Sequence, residues 1–149
     1  MKTHRLATVL TALLGLFCLS FGTRFLLDPE TAASGFGLPS WPEGDAAGYF
    51  TVKAGRDLAN GAVVLTLLAL GRRRSLAWVM LCLAIAPFVD ALTVIAHGGP
   101  YAVALGVHAA TCAAVLLAAG LLFASSSGSG TGANSGEREG IRALDRSAV

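Results

Sequence analysis

The chain has 149 residues, enough for one ordinary domain. Of these, 54% are hydrophobic and only 13% are charged, about half the roughly 25% charged residues of a water-soluble domain, so lipid is the expected solvent. The net charge of +2, with no basic patch interleaved with aromatics, excludes nucleic acid as a partner.

The chain opens with Lys2 and Arg5 ahead of a first apolar segment, residues 6 to 27. That pairing resembles the front of a secretory signal, but the run continues to Leu27 and no small-x-small cleavage site follows, so it reads as a span. From Asp28 to Tyr49 comes the one long connection, rich in Pro29, Pro39, Pro42 and glycines, read as an ordered, turn-rich loop. A second segment covers 50 to 70, Gly71 to Arg74 connects it to a third over 75 to 96, and His97 to Pro100 leads to a fourth over 101 to 123. At about 1.5 Å per residue, each segment can cross a hydrocarbon core of about 30 Å. The runs do not alternate as membrane strands do, and in hydrocarbon every backbone amide needs an internal partner, so helices follow. Residues 125 to 149 begin with a Gly/Ser tract that cannot build a core and read as a disordered tail.

Lys2, Arg5, Arg72, Arg73, Arg74, Arg138, Arg142 and Arg146 all fall on one side of this arrangement, and the first and third loops hold no Lys or Arg. The positive-inside rule then puts both termini in the cytoplasm of a cell-membrane protein, with the acidic loop of Asp28, Glu30, Glu43 and Asp45 outside. Arg72 to Arg74 read as a topology anchor and lipid-headgroup contact. Trp41 and Trp78 read as interfacial rings.

The polar residues of the spans share one depth. Asp57 lies about 10 Å below the outer boundary, Asp90 about 9 Å, His108 about 10 Å and Arg24 about 5 Å, while the inner half has no acid, base or histidine. On the second segment, Lys53, Arg56, Asp57 and Asn60 fall within an arc of roughly 100°. On the third, Asp90, Thr93 and His97 share a face, and Pro87 predicts a kink that widens the outer side. An ionisable group facing lipid costs about 2–3 kcal/mol or more, so these groups are expected to turn inward and pair: Arg56 or Lys53 with Asp90, Arg24 with Asp57 or Asp28. Three cations (Arg24, Lys53, Arg56) against two carboxylates leave a positive surplus, for which an anionic group on a ligand is one partner. An imidazole beside a carboxylate, as expected for His108, suits proton transfer, whereas His97 beside Gly98, Gly99 and Pro100 is most simply a loop residue. No tight metal motif occurs, and no metal or cofactor is expected. Cys18, Cys82 and Cys112 sit in apolar runs and read as small hydrophobes. "GFGLP" (35 to 39) with "SWPEG" is a candidate cap over the cavity.

"RFLLDPETAASGFGLP", "KAGRDLANG", Asp90 in "PFVDALTVIAHGG" and His108 in "GVHAATC" together resemble a family of small four-helix integral membrane proteins of unknown function within the DoxX-like group. The resemblance covers residues 6 to 123. It implies the fold, and through some relatives an accessory membrane subunit of a quinone-linked redox system, more than any chemistry.

The expected architecture is therefore all-α: a four-helix up-down-up-down transmembrane bundle with a disordered tail. Its expected role is to bind a small lipophilic or anionic molecule in a polar cavity of the outer half, with Arg24, Lys53, Arg56, Asn60 and His97 as binding residues. The alternatives are that accessory subunit, or an acid/base enzyme, an isomerase, cyclase or hydrolase of a lipophilic metabolite, with Asp57, Asp90 and His108 as its acid/base groups. The lipid bilayer is the one partner the composition requires; oligomeric state is not legible.

Overall fold

A computed structural model describes residues 2–126; the tail expected to be disordered lies, from residue 127 on, outside the described residues. The first long helix, α1 (Lys2–Leu27), buries Ala7, Thr11, Gly15, Gly22 and Phe25, spaced by three, four and seven residues, so that one face turns inward. Against that face lies α3 (Gly48–Ala69), antiparallel, with Phe50 beside Phe25 at one end and Val64 beside Gly15 at the other. Small residues set the approach. A Cβ on Gly15 would strike Leu65, on Gly61 Leu19, and on Gly22 the Ala54 carbonyl. Between helices in lipid, where burial away from water gives no drive, such close packing is what holds them together.

The connection between α1 and α3 is more regular than a turn-rich loop. It contains a short helix, α2 (Pro29–Ser34), capped by the Asp28 carboxylate, which accepts the Thr31 N–H at 3.3 Å, with Pro29 at the first helical position. A 3-10 turn, Gly44–Ala47, then leads into α3.

The third apolar segment is broken, as Pro87 predicts. α4 (Arg73–Leu83) and α5 (Ile85–Ala96) meet at Ala84, one turn before a proline that has no N–H to return to that turn. The Ala84 carbonyl accepts a long bond from Phe88 (3.3 Å) and the thiol of Cys112 (3.5 Å). The last segment starts as α6 (Tyr101–Val103), passes through a π-helical turn (Ala104–Ala109) and continues as α7 (Ala110–Ser126). That π turn carries His108, and no residue pattern announces it.

α1 packs on α3 and α7, and α4 packs on α7 and α3, each pair antiparallel. At the end where Arg73 lies, small and branched side chains close the interior: Ala7, Leu76, Ala77, Met80, Ala118, Ala119 and Leu122 are buried together. At the opposite, loop end, α5 packs chiefly on the π turn, and the α1–α3 pair stands apart from it. A cavity fills the gap.

Three helices are long and apolar enough to cross a membrane: Lys2–Leu27, Arg73–Ala96 and Tyr101–Ser126. Leu13, Leu16, Phe88, Leu92, Leu105 and Leu117 are each more than half exposed on their outer faces, the disposition of side chains that meet acyl chains rather than water. These are the features of a membrane protein. α3 has 22 residues but carries Lys53, Arg56 and Asp57 in its first half.

Candidate functional site

The cavity between the two helix pairs has a volume of about 120 Å³. Its deep wall is apolar, with Leu14 from α1, Val64 from α3, Met80 from α4 and Val115 from α7. Its other end is polar, where α3 contributes Lys53, Asp57 and Asn60 and the kinked α5 contributes Asp90. One helical turn separates Lys53 from Asp57, so the ammonium reaches back along α3 and donates to the carboxylate at 3.1 Å. The same ammonium stands 5.2 Å from the ring centre of Phe21, 5.1 Å from that of Phe25 and 5.2 Å from that of Phe36. Three aromatic faces thus stabilise a cation in a place poor in water. The half-buried Cys18 thiol donates to the Asp57 backbone carbonyl at 3.2 Å, joining α1 to α3 at this level.

His108 lies behind Asp90 and is 5% exposed. Its Nε2 donates to the Phe36 carbonyl at 2.8 Å. A carbonyl only accepts, so the ring proton is on Nε2, and Nδ1 faces Asp90 Oδ2 at 3.9 Å. A neutral ring would oppose a lone pair to an ionised carboxylate.

The loop packs against His108, beside the polar end. Phe36 places its ring 4.6 Å from that of His108, and its carbonyl holds the imidazole. Gly37, at φ +98°, packs on Val94 and Val103, and a Cβ on Gly99 would strike the Gly37 carbonyl. Two glycines thus let the loop backbone sit directly on the α5–α6 connection. On its other side the loop is anchored by Phe25, Phe50, Ala32 and Ala33, with Trp41 against them.

Of the residues picked out by sequence, Lys53, Asp57, Asn60 and Asp90 line the cavity, and His108 backs Asp90. Arg24, Arg56 and His97 do not reach it; all three are exposed. Arg56 lies about 100° round α3 from Asp57, at the edge of the polar stripe, and is exposed. His97 ends α5, its Nδ1 2.9 Å from the Thr93 carbonyl. Asp28 caps α2 instead of pairing with Arg24, and among the described residues no carboxylate lies within salt-bridge distance of Arg24 or Arg56. The expected ion pairs are thereby replaced by Lys53–Asp57 and His108–Asp90. Of the three cations expected in the chamber, Lys53 lines it and Arg24 and Arg56 do not.

Phe36 and the aromatic set around Lys53 were not among the expected site residues. Phe17, Phe21 and Phe25 at four-residue spacing do mark one helix face, but Phe36 reaches His108 across 72 residues of chain, a distance no local pattern spans. Among the described residues, no three His, Cys, Asp or Glu side chains converge as a metal site would need.

The model of the family described as Domain of unknown function (DUF4267) matches residues 15–123, and the chain belongs to that family. No curated protein and no solved structure matches it.

Proposed function

We propose that this member of the family is a multi-pass cell-membrane protein that holds a small, largely apolar molecule with one hydrogen-bonding end in the chamber between α1, α3, α5 and α7. The observation that carries this reading is the polarity of the chamber along its length. The wall from Leu14 to Val115 is apolar, and Asp57, Asn60 and Asp90 line the other end. A guest that matches it keeps its apolar body against that wall and its polar end on those three side chains, as small-molecule sites do. With Lys53 already paired to Asp57 and a second carboxylate, Asp90, in the lining, the chamber favours a neutral guest over an anionic one.

In this reading α3 is the fourth span of an up-down-up-down bundle. Its charged first half is tolerated because Lys53 and Asp57 pair and turn inward, while Arg24 and Arg56 reach toward the headgroups along their long stems. The distribution of Lys and Arg supports cytoplasmic termini and an outward-facing loop end. Kinship with the DoxX-like group belongs to this proposal and rests on the residue pattern alone.

One observation favours a second reading. His108 sits on a π turn, a distortion that recurs at functional sites, and its Nδ1 faces Asp90 Oδ2 at 3.9 Å at the edge of the chamber. Such a pair can give a proton to the guest's polar end or take one from it, which is acid/base catalysis on a lipophilic metabolite.

The full chain, purified in detergent and extracted with organic solvent, tests both readings by mass spectrometry. The expected result is one apolar molecule with a single polar group, close to equimolar with protein and lost from the Asp57→Asn and Asn60→Leu variants. A folded wild type that yields no such molecule, or variants that retain it fully, overturns the binding reading. An Asp90→Asn protein that keeps its guest unchanged while the wild type converts it decides for the enzyme.

A further inference from the structure

The opposite end of the molecule carries a second cavity that the chamber does not explain. It has a volume of about 360 Å³ and is lined by Arg72, Arg73 and Arg74 together with His4, Ser75 and Ser125, within the range of about 300–1,000 Å³ common to small-molecule sites. Arg73 is its fixed point. The guanidinium donates to Thr8 Oγ at 2.6 Å and to Ser125 Oγ at 3.5 Å, and one of its nitrogens stands 3.4 Å from His4 Nδ1. One side chain thereby ties the first turns of α1 and α4 to the last turn of α7. All of these partners are uncharged hydroxyls and an imidazole, so the guanidinium is positioned without being neutralised. Among the described residues no carboxylate lies within salt-bridge distance of Arg72, Arg73 or Arg74.

Three guanidinium groups around one concavity, one held rigid and two exposed, make a receptor for a tetrahedral oxyanion. Arg forks donate in pairs to phosphate oxygens, and the serine hydroxyls add neutral donors at the same rim. The position selects further. Two of the three membrane-crossing helices, Lys2–Leu27 and Arg73–Ala96, begin at this pocket, and the third, Tyr101–Ser126, ends there. It therefore lies at the level where a bilayer carries its phosphates. We infer that this pocket binds one phosphate group, as the headgroup of an anionic lipid or as free phosphate, separately from anything held in the chamber.

Native mass spectrometry of the full chain in detergent tests this, with phosphatidylglycerol, phosphatidylcholine and inorganic phosphate as separate probes. The expected result is a single phosphatidylglycerol adduct retained over phosphatidylcholine and reduced roughly fivefold or more in Arg72→Gln/Arg74→Gln. Millimolar phosphate that displaces the lipid makes free phosphate a competent source; lipid retained against phosphate assigns the site to the headgroup. Because glutamine at both positions also weakens the topology signal, helical circular dichroism of the purified variant accompanies the measurement. The Arg72→Lys/Arg74→Lys protein, which keeps the charge and loses the forks, is expected to fall between the two. Wild-type protein that binds neither probe, or equal phosphatidylglycerol retention in wild type and the glutamine variant, overturns the assignment.

Discussion

The two ends of this helix assembly solve opposite problems with the same helices. Toward the arginine end, Leu76, Ala77, Ala118, Ala119 and Leu122 pack together in the interior between the helices. At the loop end, a proline break and a π turn bend the second pair of helices away from α1 and α3, and the space between is filled by side chains that need partners. Dense packing and open space are thus separated along the axis. A segment that holds a cavity gives up dispersion contacts over its whole lining.

The largest effect is expected where packing is densest. Leu76 is fully buried, and Leu76→Ala in a water-soluble core would cost about 2–5 kcal/mol. In a bilayer the transfer component shrinks, because acyl chains are as apolar as leucine. What remains is the cavity left behind, so a loss of about 2 kcal/mol is expected when the purified protein is unfolded by SDS in mixed micelles. Phe17→Ala, on the half-exposed wall of the chamber, is expected to cost about 1 kcal/mol or less. Equal losses at the two sites would erase the contrast between the ends.

A second substitution acts on the cap. At Gly99 the added methyl group meets the backbone carbonyl of Gly37 rather than a yielding side chain, so Gly99→Ala must lift the loop. The expected cost is between about 1 and 2 kcal/mol. Lifting Phe36 also releases His108 and uncovers the polar end. Cys18 lines the chamber, so its alkylation by a small apolar maleimide, measured with Cys82 and Cys112 replaced by alanine, should become several-fold faster. An unchanged rate would show that the loop does not control entry.

The meeting of Asp57, Asp90 and His108 at one level of the helix assembly was legible in the residues because rise along a helix is a constant. Counting from the ends of the apolar runs suffices to bring Asp57, Asp90 and His108 to one level. Pro87 was legible for a similar reason, since a missing N–H has one consequence wherever it occurs in a helix. Direction was harder to read. The arc on α3 is wide enough for Arg56 to lie at its edge and point outward, and a long cationic stem makes that tolerable in lipid. The short helix α2 had its signal in Asp28-Pro29-Glu30, a cap followed by a first-turn proline and an acid, hidden by the surrounding Pro and Gly. The Phe36–His108 contact and the π turn come from tertiary packing and left no local trace.

The smallest expected effect bears on the charge of the chamber. If Arg24 and Arg56 belonged to the site, Arg24→Gln and Arg56→Gln would strip two of its three cations and disturb it more than any other pair of changes. Both are exposed and unpaired with any described carboxylate, so each is expected to change stability by no more than about 0.5 kcal/mol and to leave the Cys18 alkylation rate as it was. Lys53→Met keeps the stem against Phe21, Phe25 and Phe36 but leaves the Asp57 carboxylate without its cation. Losing an i,i+4 pair costs roughly 0.5 kcal/mol, and stranding a half-buried carboxylate adds to that, so Lys53→Met should exceed either arginine change despite removing the same single charge. Charge then counts by where it points. A chamber that responded to Arg24 or Arg56 as strongly as to Lys53 would restore the positive surplus, and with it an anionic guest.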